Sequence, residues 1–262
     1  MINCPICSEI SVLTWKERKN RMYRCRKCGV AFLHPIPENP SAIYSEDYFR
    51  KWYIKYYWER KACTENLFLK VEEYAGRKGK LLDVGCGAGI LLDVARERGW
   101  EVYGQDVSPF AVDYCRKKGF VVHEKPLSEL VLQEGSFDLI TMFDVIAHLR
   151  DPAAYIRGCW KFLRPGGFLV IKTPCHSRLL FFTANLLSFT GRSRTLLHVP
   201  AQIFHFNENS LKEMCGTYGL ELLKVNRMND FYALQNRDFL HIIFDSFWDN
   251  KSVVTIWVRN AI

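Results

Sequence analysis

Lys80-Leu81-Leu82-Asp83-Val84-Gly85-Cys86-Gly87-Ala88-Gly89 is the most informative stretch of this 262-residue chain. Its first half is a short apolar run carrying one acid, the pattern of a buried strand, and its second half places three glycines in five residues. Ile90 to Arg98 then reads as an amphipathic helix stopped by Gly99. A glycine turn between strand and helix brings bare backbone close to a ligand, and the helix N-terminus favours negative charge. The dinucleotide fingerprint G-x-G-x-x-G needs glycine where this chain has Ile90, which argues against a nicotinamide or flavin cofactor.

The alternation continues beyond this unit. Strands are expected at Glu101–Gln105, near Phe120–His123, at Phe137–Met142 and at Phe168–Lys172, with helices after Ser108-Pro109 and over Pro152–Leu163. Asn207–Tyr218 reads as a further helix, Leu220–Val225 and Ser252–Val258 as an antiparallel pair, and Asp238–Phe247 as a helix without assigned function. Repeated strand–helix units imply an α/β, doubly wound parallel sheet that binds ligands at the carboxyl ends of its strands. Asp106 ends the second strand, where a carboxylate can accept hydrogen bonds from both ribose hydroxyls; its alternative role is a helix-capping acid.

The amino terminus follows other rules. Cys4-Pro5-Ile6-Cys7 and Cys25-Arg26-Lys27-Cys28 form two C-x2-C pairs separated by 17 residues, a spacing that suits tetrahedral zinc. A thioredoxin-like redox pair would sit between a strand and a helix and would need no duplicate. Four thiolates leave no open coordination position, so the metal would be structural and would fold about 35 residues too few to build a core. The domain reading is therefore a zinc ribbon over 1–35, an aromatic-rich helical connector or lid over 36–75 with helix from Asp47 to Ala75, and the cofactor domain over 76–262. The connector carries Tyr44, Tyr48, Phe49, Trp52, Tyr53, Tyr56, Tyr57 and Trp58, rings that either close over a cationic cofactor or fix the ribbon to the main domain.

Composition narrows the class. Hydrophobic residues make up 48% and charged residues 24%, the balance of a globular protein. The sequence shows neither a signal-peptide pattern nor an apolar run long enough to span a bilayer, so a cytoplasmic protein with reduced or metal-bound cysteines is expected. Of the formal charge of +8, most lies in residues 1–35, where seven cations face two acids. Such a surface fits an anionic partner, including nucleic acid, and selects none.

With these residues in view, Leu81–Gly89, Asp106-Val107-Ser108, Phe137-Asp138-Leu139-Ile140 and Leu163-Arg164-Pro165-Gly166-Gly167-Phe168-Leu169-Val170-Ile171 resemble the successive motifs of class I S-adenosylmethionine-dependent methyltransferases. The likeness covers about residues 76–225, and the knuckles with Ser45-Glu46-Asp47-Tyr48-Phe49 resemble a subgroup bearing an N-terminal Cys4 zinc ribbon. The resemblance implies a Rossmann-like seven-stranded sheet, S-adenosylmethionine with structural zinc, and a small-molecule, sugar or lipid-linked acceptor. It implies that Asp83 and the Gly85, Cys86, Gly87 and Gly89 loop contact the methionine part, Asp106 the ribose, Val107 with Leu127 the adenine edge, and that Phe143 and Asp144 line the methyl-transfer side.

Methyl transfer from a sulfonium is an in-line displacement, so alignment and exclusion of water dominate. A hydroxyl or carbon acceptor must also lose a proton, and a histidine with pKa near ~6.5 is a suitable base. His148, His198 and His205 are the candidates. His148 follows Ala147, where the resembled subgroup usually carries Glu. Leu179–Phe189, flanked by Arg178, Arg192 and Arg194, is expected to cover the site or to lie at a membrane interface. The rival readings are a zinc-ribbon ribosomal or transfer RNA methyltransferase and a non-catalytic cofactor-binding protein.

Overall fold

The structure, a computed structural model, describes residues 2–38, 44–175, 178–191, 193–228 and 253–261. The helix expected at Asp238–Phe247 lies outside them. Near the amino terminus, β1 (Ile2–Asn3), β2 (Ile10–Glu17), β3 (Asn20–Cys25) and β4 (Ala31–Leu33) form a meander whose turns carry the two cysteine knuckles. A fifth strand, β10 (Phe204–His205), joins its edge from 171 positions beyond Leu33, pairing Phe204 with Phe32 and His205 with Ala31.

The connector is not one helix. Ser45 caps α1 (Glu46–Phe49), a wide helical turn follows over Arg50–Ile54, and α2 (Tyr57–Ala75) starts only after Tyr56 leaves helical geometry at φ −112° and ψ 32°. The widened turn, closed by the Lys55 amide donating to the Arg50 carbonyl at 3.0 Å, lets Phe49 and Tyr53 face the same glycine, Gly87. From α2, Phe68 and Val71 pack with Leu81, Leu139 and Val170 on one face of the large sheet.

That sheet has seven strands in the order β11, β12, β9, β8, β5, β6, β7. Its parallel part comprises β5 (Lys80–Val84), β6 (Glu101–Gln105), β7 (Val121–His123), β8 (Phe137–Phe143) and β9 (Leu163–Pro174). β12 (Val253–Asn260) runs antiparallel to both β9 and β11 (Leu220–Met228). The order reverses direction at β5, so a crevice opens beyond the carboxyl ends of β5 and β8, where such sheets bind ligands. Helices α3 (Ile90–Glu97), α4 (Pro109–Lys117) and α5 (Pro152–Phe162) fill the crossovers, and α8 (Glu208–Gly216) precedes β11.

The ribbon shares a core with the main domain. Trp15, Met22 and Phe32 belong to the same buried cluster as Ile140, Phe162, Phe204 and Leu211. Burying each such side chain stabilises by roughly 1.5–3 kcal/mol. The segment expected as a lid forms α6 (Arg178–Leu187) and α7 (Ser193–Leu196), and its inner side packs on the ribbon instead. Asn185 donates to the Thr14 carbonyl at 2.7 Å, the Arg24 guanidinium lies 4.4 Å over the Phe181 ring, and Trp15 donates to Ser193 Oγ at 3.0 Å. Glu17, buried beside them, accepts from Ser193 and pairs with Arg194 at 2.9 Å. Phe182, Leu186 and Phe189 stay exposed. Among the described residues, no helix is long and apolar enough to cross a membrane.

Candidate active site

A cavity of about 360 Å³ occupies the crevice. The turn after β5 supplies its floor through Gly85 and Gly87, the end of β6 supplies Gln105, Asp106 and Val107, and the end of β8 supplies Phe143, Asp144 and Val145. Gly85 is required twice over, since its φ is +71° and a Cβ there would come within 2.3 Å of Val145 Cγ2. Tyr44, Tyr48, Phe49 and Tyr53 form the roof, while the exposed Trp52 and Trp58 point elsewhere and Tyr57 bonds Asp93. The sequence suggested the roof as a group but gave no means of sorting it.

Asp106 organises the floor. One carboxylate oxygen accepts from the Gly87 amide at 2.9 Å, and the other accepts from the Ser108 amide at 2.9 Å. Each keeps a second lone pair, so the acid braces the glycine turn and still offers acceptors to a diol in the cavity it lines. Burial raises its pKa, and the Ser108 and Gly87 amides oppose that rise. Asp83 lies below the wall, fully buried, accepting from Thr141 Oγ1 at 2.7 Å; burial pushes its pKa up to about 7 against that hydrogen bond, with Asp106 adding repulsion.

Three further candidates sit behind the wall rather than in it. The Cys86 sulfur faces β6, where a Cβ on Gly104 would meet it at 2.9 Å, and Gly89 packs against Cys115. Leu127 is buried under Gly158, and its neighbours Pro126 and Ser128 line the cavity instead. Tyr155 of α5, which sequence reasoning did not single out, lines it too; the Asp151 cap that starts α5 was the available signal.

The histidines separate clearly. His148, in the 3-10 turn Ile146–His148, lines the cavity with its Nδ1 2.8 Å from the Ala201 carbonyl. A carbonyl only accepts, so Nδ1 carries the proton and the neutral ring keeps its lone pair on Nε2. Burial holds the imidazole below its usual pKa, with the Ala201 carbonyl and Asp144 pulling the other way. His198 is exposed, at φ +49°, outside the wall. His205 is also outside it: β10 belongs to the ribbon sheet, so its ring is buried and edge-on to Phe181 at 5.5 Å. Asp144, at φ +59°, pairs with Lys172 at the same end of the cavity.

A family model described as a methyltransferase domain matches residues 55–225. The chain belongs to that family. A ubiquinone biosynthesis O-methyltransferase of Methylococcus capsulatus is 33% identical over 133 residues, covering 48% of this chain and 54% of the relative. One of the same name from Aromatoleum aromaticum is 28% identical over 183 residues, covering 63% and 76%. The chain spans about half the length of the first of these curated relatives. Among solved structures, the 1,6-didemethyltoxoflavin-N1-methyltransferase of Burkholderia thailandensis, with bound S-adenosylhomocysteine, aligns at a TM-score of 0.59 with 16% identity, covering 94% of this chain and 98% of that one. At that identity the likeness concerns the fold. The seven-stranded sheet is that of the class I S-adenosylmethionine-dependent methyltransferases, and the Asp106 cavity lies beyond the carboxyl ends of its parallel strands, where open α/β sheets bind ligands.

The cysteine cluster lies at the turns of the amino-terminal ribbon, outside the residues that the family model matches. The sulfurs of Cys4, Cys7, Cys25 and Cys28 all lie within 4.8 Å of one another, with Cys4 to Cys28 at 3.7 Å and Cys7 to Cys25 at 3.4 Å. Tetrahedral ligation at ~2.3 Å from zinc places sulfurs about 3.8 Å apart, so the donor set fits the ion. No disulfide joins the described cysteines.

Proposed function

We propose that this protein transfers a methyl group from S-adenosylmethionine to a hydroxyl of a small-molecule acceptor, a class that includes sugars and lipid-linked intermediates, with His148 taking the acceptor's proton. When bound, the cofactor supplies an activated methyl group on a sulfonium. The chain itself does the rest: Asp106 accepts from the ribose, Val107 flanks the adenine, the Gly85–Gly87 turn approaches the methionine part, and the roof tyrosines exclude water. The observation that carries the reading is that one cavity holds the braced Asp106 and, at the Phe143–Asp144 end, a histidine whose unprotonated Nε2 is fixed by its other nitrogen's bond to Ala201. The names of the curated relatives support a small-molecule hydroxyl acceptor. A Cys4 zinc ion in the ribbon would fold and hold it without reaching the reaction, because the four thiolates close its coordination shell.

Of the basic cluster that suggested nucleic acid, Arg24 is spent on Phe181 and the Gly29 carbonyl, and Lys27 on Glu213. Titration calorimetry tests the cofactor site: Asp106→Ala weakens binding of S-adenosylmethionine by ~1–3 kcal/mol through lost charge-assisted hydrogen bonds. Mass spectrometry of a panel of phenols, sugars and prenylated phenols tests the transfer. Unchanged affinity in the variant removes the ribose assignment, and cofactor binding with no methylated product in the panel favours a non-catalytic role.

A further inference from the structure

The ribbon contributes none of its own side chains to the cavity, yet its edge strand is joined to the residue that holds His148. The Leu33 amide donates to the Ile203 carbonyl at 2.9 Å, continuing the pairing of β4 with β10. The Ile203 amide donates to the Ala147 carbonyl at 2.8 Å, and two residues earlier the Ala201 carbonyl accepts from His148 Nδ1 at 2.8 Å. One short segment is thus a strand of the ribbon sheet and the cradle of the histidine turn. Its packing is aromatic: Phe32 and Phe204 stack at 6.2 Å with 27° between planes, Phe204 and Phe206 at 5.6 Å with 22°, and all three are buried. A second tether runs from the ribbon's exit, where the Glu38 carbonyl accepts from Arg150, two residues past His148, at 3.2 Å.

We infer that the ribbon is a positioning device for the proton acceptor: β4, acting through Phe204 and the Ala201–Ile203 segment, fixes which nitrogen of His148 bears hydrogen and where the other points. Phe32 and Phe204 are positioning residues on this account, and they touch neither cofactor nor acceptor. The catalytic consequence rests on the reading of His148 as the base; the tether itself does not. It explains why a zinc-ligand set that lines no part of the Asp106 cavity accompanies a methyltransferase sheet. A ribbon placed only to bind a partner would not need to share a strand with the 201–205 segment.

The test reads His148 directly, without acceptor. Two-dimensional NMR of imidazole 15N and 13Cε1 in the full chain reports tautomer and titration. The charged and titratable groups that share the cavity end with the ring are Asp144 with its partner Lys172, Tyr44, Arg150 and Asp151. The wild type is expected to show a single tautomer protonated at Nδ1 and a midpoint below ~6.5. Phe204→Ala should yield mixed tautomers and move the midpoint towards ~6.5, while Phe204→Leu restores both and calorimetric affinity for S-adenosylmethionine stays within about twofold. Unaltered tautomer and titration in Phe204→Ala overturn the inference. So does loss of cofactor binding alongside, since the effect is then not confined to the histidine. His148→Asn is the separate control: if it still transfers methyl while the NMR behaviour holds, the base assignment fails and the tether stands.

Discussion

The two sheets of this molecule reach stability by opposite routes. The seven-stranded sheet closes over buried Val, Leu and Ile on both faces, and its strands are specified by continuous apolar runs such as Leu139-Ile140 and Leu169-Val170-Ile171. The ribbon sheet has four clustered thiols at its turns and a borrowed edge of two residues. The first stands on area removed from water, the second on the edge it borrows and, as proposed, on a metal held by its four thiols. The difference teaches where each is vulnerable: metal should govern the ribbon and reach the active site through β10 and the Glu38–Arg150 tether.

The harshest challenge to that division is Cys25→Ser. Structural zinc contributes an apparent ~10–16 kcal/mol to folding small modules, as large as the whole net stability of a typical domain at ~5–15 kcal/mol. The variant is expected to lack zinc by atomic emission and to become susceptible to trypsin in the hairpin at Arg18-Lys19, which joins β2 and β3. Affinity for S-adenosylmethionine should fall less than tenfold, because the Asp106 floor lies in the other sheet. Wild-type metal content in the variant refutes the ribbon, and total loss of cofactor affinity refutes the division.

Next in size is His148→Asn. A positioned general base contributes typically ~10²–10⁴-fold, so the turnover rate should drop by that factor with cofactor affinity intact. In the wild type the pH profile follows from the burial that lowers the imidazole pKa: the base is unprotonated at neutral pH, so activity persists below ~6.5 and is lost only as pH falls through the depressed value. A midpoint above ~6.5 in the turnover rate would assign the limb to another group.

How far the sequence led differs between the same two regions. The glycine turn, Asp106 and the four cysteines were legible because each is a local pattern, resolved within ten residues or by pair spacing. The parallel strands were legible from their apolar runs, although β9 begins earlier than expected, at Leu163, because Leu163 pairs with Phe137 before the Arg164–Gly167 bulge. β10 was not legible: two residues have no periodicity, and their partner lies far away in the chain. His205 was consequently read as a substrate-side histidine, when its place in a sheet buries it. Cys86 and Leu127 fail for a finer reason, since alternate residues of a turn face opposite sides and sequence does not reveal which side the cavity takes. The break of the connector helix at Tyr56 had no signal either, because neither proline nor glycine marks it.

The smallest effect probes the seven-stranded sheet alone. Burial pushes the Asp83 carboxyl up to a pKa of about 7, so part of it is protonated near neutrality before any ligand arrives. The methionine part of the cofactor carries an ammonium group, and the family resemblance places Asp83 with that part. A cation brought close to a carboxyl favours its charged form and lowers its pKa. Binding at pH 7 should therefore release a fraction of a proton per site, more at pH 6 and less at pH 8. Calorimetry in buffers of different ionisation enthalpy measures this as the slope of apparent heat against buffer enthalpy. Asp83→Asn should abolish the slope, and Cys25→Ser should leave it unchanged, because Asp83 bonds to Thr141 within the large sheet and to nothing in the ribbon among the described hydrogen bonds. A slope that vanishes with the zinc instead would show that the two sheets are coupled at the floor of the cavity as well as at His148.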